Sequence, residues 1–202
     1  MSPEANGSQL FGLILSAALF LCGCIVGIIS AGFVSNASGL SGYISGLVPL
    51  KVGQAISQPN FLSIFFNSTK YHIFSLFFAF SVLGVICVPL MMAVRGFFLC
   101  FSISVIVRLL GGQGILLALS IFGIGALITV PCLFILSAQT FSASADLLKV
   151  VFSRAGRFAA GIYNRKFFTT AAFCFAIPAL SALIDLLLTP KLVLLVVSHI
   201  NL

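Results

Sequence analysis

The chain is poor in charge and almost devoid of acid. Charged residues make up 6% of its 202 residues, and Glu4, Asp146 and Asp185 are the only carboxylates against ten Lys and Arg. It has no tryptophan and two histidines, His72 and His199, far apart. These scarcities exclude chemistry class by class. A zinc-protease HExxH helix needs two histidines one turn apart with a glutamate beside the first, and the lone glutamate is Glu4. An aspartyl intramembrane protease needs aspartates on two facing spans, and only Asp185 falls within an apolar run. A serine nucleophile needs a base within reach, and neither histidine stands in a motif. No enzymatic activity is expected, and no metal or cofactor.

The scarcity of polar groups also sets the solvent. Soluble domains are about half apolar and about a quarter charged, whereas this chain is 61% hydrophobic with mean hydropathy +1.27. Too little polar side chain exists to cover a water-facing surface. The expected fold class is all-α, a polytopic membrane helical bundle of about five transmembrane helices in one domain, in contact with membrane lipid. Nucleic acid is not an expected partner despite the net charge of +7, because no basic face interleaved with aromatics is present. The six cysteines, Cys22, Cys24, Cys87, Cys100, Cys132 and Cys174, all lie in apolar runs and read as small hydrophobes.

A spanning helix needs about 20 mainly apolar residues. Spans are expected at about 10–34, 71–92, 97–110, 115–137 and 167–188, with short interfacial helices in the Gly-, Pro- and Ser-rich segment 35–70. The first has no basic n-region before it and an apolar run too long for a signal peptide, so it reads as a retained helix. Its Gly23 and Gly27 form a GxxxG pair that lets a neighbour approach closely. Arg95-Gly96 reads as the tight connection between the second and third spans, and Gly111 to Gly114 as the next hairpin turn. Residues 138–166 read as a basic cytoplasmic loop entered by an amphipathic helix. Thr189-Pro190 reads as the end of the last span. Five of the ten bases lie between Lys149 and Lys166, which orients the N-terminus to the cytoplasm and the C-terminus outside. Arg108 and Asp185 then fall near the outer ends of the third and fifth spans, where they either pair or reach the interface separately. Serines within the spans, such as Ser75, Ser102, Ser120 and Ser181, are expected to bond their own helix or pack a neighbour.

Several pieces in order resemble the stage II sporulation protein M family. They are Phe65-Phe66-Asn67, Arg95-Gly96-Phe97, Gly112-Gln113-Gly114-Ile115, Val130-Pro131-Cys132-Leu133, and Asp185 followed by Thr189-Pro190. The resemblance extends over about residues 10–192. It departs at Cys100, at Gly125, Ala126 and Thr129, and at Asp185, where members more often carry glycine, a polar or acidic residue, and glutamate. It implies a non-enzymatic membrane scaffold that anchors cell-wall hydrolases, of lytic transglycosylase and amidase/endopeptidase types, at the septum during sporulation (engulfment). Its interaction candidates are Asn67, Arg95, Gly96, Arg108, Pro131 and Asp185. A subunit of a membrane transporter or channel is the alternative, with homo-oligomerisation left open.

Overall fold

A computed structural model describes residues 3–33, 61–152 and 165–200. These form α1 (Pro3–Phe33), α2 (Phe61–Ala79), α3 (Gly84–Leu110), α4 (Gly112–Ala118), a π-helical turn (Leu119–Gly123), α5 (Ile124–Phe152) and α6 (Arg165–Ile200). Among the described residues there is no strand. Gly7–Phe33, Gly84–Arg108, Gly125–Phe152 and Phe167–Leu188 are each long and apolar enough to cross a membrane. The chain is a multi-pass, all-α membrane helical bundle. Helix α2 differs from the rest in carrying a polar centre, Asn67 to His72.

Contacts fix the helix directions. Gly23 lies against the carbonyl of Ala93, Gly27 against that of Phe97, and Gly32 against the Arg108 guanidinium, so numbering rises together and α1 and α3 run parallel. A Cβ on Gly27 would stand 2.5 Å from the Phe97 oxygen, and one on Gly96 would meet the carbonyl of Phe20. The GxxxG pair and Gly96 thus permit backbone-to-backbone packing, which is how helices gain contact in lipid, where burial of apolar surface gives no drive. Against α1, α5 is antiparallel: Phe20 packs on Phe134 at 5.3 Å between ring centroids, and Ser8 shares a 2.7 Å hydrogen bond with Ser142. Tyr71 meets Arg95 across the 80–83 turn, so α2 and α3 form a hairpin. Helix α6 runs antiparallel to α2 and α5, with Phe167 packed by Ala79 and Ala143, and Cys174 packed by Cys132.

The hairpin turn therefore falls at residues 80–83 and not at Arg95-Gly96, and α3 is unbroken for 27 residues through both. The turn has its own bonds: Ser81 N–H donates to Phe78 O at 3.1 Å, Gly84 N–H to Ser81 O at 3.1 Å, and Leu83 N–H to Ser81 Oγ at 3.2 Å. Ser144 of α5 adds a 3.0 Å bond to the same Phe78 O, a second donor that ties the turn to α5. The turn expected at Gly111 is present. Gly111 has φ 60°, a backbone conformation that costs glycine little, and α4 begins immediately after it.

Three further expectations are corrected. Residues 138–152 are not a loop. They continue α5, and Ala138, Thr140, Phe141, Ser142, Ala143 and Ser144 are buried in the bundle. The serines and threonine that make this stretch look amphipathic face other helices. The last helix runs on through Thr189-Pro190 to Ile200; a spanning helix tolerates proline where neighbouring groups re-satisfy its freed carbonyl. The last ten residues of the supposed outer segment, 61–70, form the first half of α2, with Thr69 buried. Residues 34–60, which hold most of the segment where short interfacial helices are expected, and 153–164, including Arg154 and Arg157, lie outside the described residues.

Candidate functional site

The polar groups of the bundle gather at one depth. Arg95 stands near the centre of the Gly84–Arg108 span, and its neighbour Gly96 packs on Phe20, near the centre of Gly7–Phe33. His72 packs on Phe175 with ring centroids 6.5 Å apart, and Ser75 shares a 3.2 Å hydrogen bond with Thr140, near the centres of the other two spans. The middle of α2 is thus level with the centres of the four long apolar helices.

At that level two cations share one ring. The Arg95 Cζ lies 4.7 Å from the Tyr71 centroid and the Lys70 Nζ lies 5.2 Å from it. Lys70 is exposed on the flank of the bundle, while Tyr71 and Arg95 are half-buried beside it. Arginine or lysine at a span centre costs roughly 2.5–3.5 kcal/mol on insertion scales, and a desolvated cation–π contact returns about 2 kcal/mol. The Tyr71 ring therefore offsets the cost of the Arg95 charge only in part. On the inward side Thr69 and His72 are each 1% exposed, and neither Thr69 Oγ1 nor the two His72 nitrogens has a hydrogen-bond partner.

Arg108 and Asp185 lie toward one end of the bundle but are not paired. Arg108 Nη1 donates to Gly32 O at 3.1 Å, tying α3 to the end of α1. Asp185 is turned toward α5, where a Cβ on Gly125 would stand 2.5 Å from its Oδ2; its Oδ1 is buried without a hydrogen-bond partner. Glycine at 125 is what leaves room for the carboxylate. Among the described residues the ion pair is Lys149–Asp146, 3.2 Å apart on the surface of α5.

The other candidates are scattered. Gly96 is an interhelical contact point. Pro131 is exposed within α5, far along the chain from the Tyr71–Arg95 contact. Asn67 lies on α2, and its side chain falls outside the described residues. The span serines behave as expected where bonds are seen: Ser102 donates to Phe98 O at 2.7 Å and Ser120 to Leu116 O at 2.8 Å. The cysteines are free thiols. Between α1 and α5 a lateral groove of about 460 Å³ is lined by Gln9, Leu10, Leu13, Ile135, Ala138 and Gln139.

Sequence reasoning passed over Lys70, Tyr71 and His72 because they stood at the supposed edge of a span. The usable signal was the run of polar residues 67–72 flanked on both sides by phenylalanine-rich turns, which marks a helix with a polar middle.

The arrangement defines a polytopic helical membrane protein in which the Arg95 cation sits against the Tyr71 ring at the level of the helix centres, and among the described residues no carboxylate pairs with Arg95. Compared with protein-family models, curated proteins and solved structures, the chain matches none.

Proposed function

We propose that the chain is a non-enzymatic membrane scaffold that anchors extracytoplasmic peptidoglycan hydrolases, of lytic transglycosylase and amidase/endopeptidase types, at the septal membrane during sporulation. The reading rests on the resemblance to the stage II sporulation protein M family. One structural observation supports it: Arg95, Arg108 and Asp185 each meet a neighbouring helix, at Tyr71, Gly32 and Gly125, and none meets another. Charges placed singly at helix contacts serve assembly, whereas a relay needs them in series.

Orientation follows from the bases once the mid-depth pair is set aside. Lys149, Arg165 and Lys166 stand at the end of the bundle that holds the start of α1, and the sequence between α5 and α6 adds Arg154 and Arg157; Arg108 and Lys191 stand toward the opposite end. The denser end is assigned to the cytoplasm, which puts the end of α1 and the start of α2 toward the outer side, where wall enzymes work. A transporter subunit is the second reading, favoured by the unpartnered Asp185 Oδ1.

The test is deletion in a spore-forming host, combined with co-purification of the tagged chain and proteoliposome flux assays. Arrest at engulfment and recovery of both hydrolase types support the scaffold. Normal spores and no hydrolase, or solute flux driven by the purified chain, overturn it.

A further inference from the structure

We propose that the Lys70–Tyr71–Arg95 flank, between α2 and α3, docks a transmembrane helix of another protein that presents a carboxylate at the middle of the bilayer. The site is lateral. Lys70 is exposed, Phe74 and Phe77 continue its face along α2, and Leu90, Val94 and Phe98 stand exposed on α3 around Arg95. Aromatic and aliphatic side chains flanking a central charge suit a neighbouring helix, and the charge requires an opposite one wherever water is excluded.

The chain cannot provide that charge. Glu4 lies 16 residues before Phe20, about 24 Å along α1 from the level of Arg95. Asp146 is engaged by Lys149 on the surface of α5. Asp185 faces Gly125 and lies ten residues beyond Phe175, about 15 Å along α6 from the level of His72. A second copy in the same membrane orientation would bring its acids to those same depths, so self-association does not neutralise the site. Nor does a lipid headgroup reach it: the hydrocarbon core is about 30 Å thick, and its half-thickness exceeds the length of an arginine side chain. What remains is an aspartate or glutamate on a partner helix, at mid-span. The inference rests on depth and charge and holds whichever process the bundle serves.

The full chain, reconstituted in phosphatidylcholine nanodiscs, is titrated with a fluorescent leucine–alanine transmembrane peptide carrying one central glutamate. Three comparators carry a central glutamine, a glutamate seven residues off centre, or no polar residue. The expected result is binding at least about tenfold tighter for the central glutamate than for every comparator, a factor typical of one well-placed interaction. Arg95→Gln should abolish the preference, Arg95→Lys should retain much of it, and Lys70→Gln should weaken it. Equal binding of the central-glutamate and central-glutamine peptides overturns the proposal, as does a preference that survives in folded Arg95→Gln. It is also overturned if Arg95→Gln changes only phosphatidylglycerol binding or self-association of the chain. The comparison of central with displaced glutamate needs no variant, so it stands even where Arg95→Gln does not fold.

Discussion

Cys132 of α5 and Cys174 of α6 exchange hydrogen bonds: each thiol donates to the other's backbone carbonyl, with Sγ to oxygen distances of 3.6 Å. One of those carbonyls is free for a reason legible in the chain. Pro178, fully buried, lacks the N–H that would bond the carbonyl four residues back, which is that of Cys174. The Cys132 thiol takes the place of the missing amide, so a helix-breaking residue in one helix is satisfied by its neighbour.

Replacing Cys132 with alanine should therefore leave a buried carbonyl without a donor, a loss of about 1 kcal/mol. In a Pro178→Ala background the amide is restored and the same substitution should cost measurably less, with a coupling of about 0.5–1 kcal/mol. Unfolding in mixed micelles checks this; strictly additive losses would show that the thiol is not acting for the amide.

The α1–α3 contact should be intolerant of side chains. Gly23→Val drives two methyl groups into the Ala93 carbonyl, and Gly27→Val does the same at Phe97. Each should lower stability by about 2–3 kcal/mol, the range for overpacking, read as a fall in melting temperature in detergent. Gly7→Ala, with nothing within 4 Å of the added Cβ, is the control and should be neutral.

Asp185 should be dispensable for folding. Its Oδ1 is buried without a donor, so Asp185→Asn removes a poorly supported charge and should leave stability unchanged or raise it by about 1 kcal/mol. Gly125→Ala should destabilise by crowding Oδ2, and Asp185→Ala should relieve that loss. Additive losses in the double variant would mean that the two residues do not share the space. Thermal melts of the wild type and these four variants measure both effects.

Helix directions make a topological prediction. In a chain otherwise free of cysteine, Gly7→Cys and Lys149→Cys should react with an impermeant maleimide from one side of the membrane, and Gly112→Cys from the other. Under the proposed orientation Gly112→Cys labels in intact cells and the other two only after permeabilisation. Labelling of all three from one side would contradict the alternation of α1, α3 and α5.

The contrast between two turns explains what could be foreseen. Gly111 was readable because a positive φ at the tip of a hairpin selects glycine. The turn at Phe80-Ser81-Val82-Leu83 was not, since three of its four residues are apolar and its stability comes from Ser81 and from Ser144, more than sixty residues away. Arg95-Gly96 looked like a turn for a sound reason, that a charge is costly inside hydrocarbon. The ring that lowers that cost, Tyr71, belongs to another helix. Similar depth of Asp185 and Arg108 on two helices does not determine which neighbours they face. Gly125 and Gly32 settled that.

From sequence alone followed the helical class, the bilayer as solvent, the GxxxG seam and the scarcity of acid, because each depends on composition or on spacing along one helix. Tertiary structure alone decided where α2 turns, that 138–152 packs inside the bundle, and that the charge of Arg95 lies at mid-depth. Those outcomes depend on which side chains from distant segments share the low-dielectric interior. There a polar group is tolerated only beside a partner, and partnership is a property of the assembled bundle.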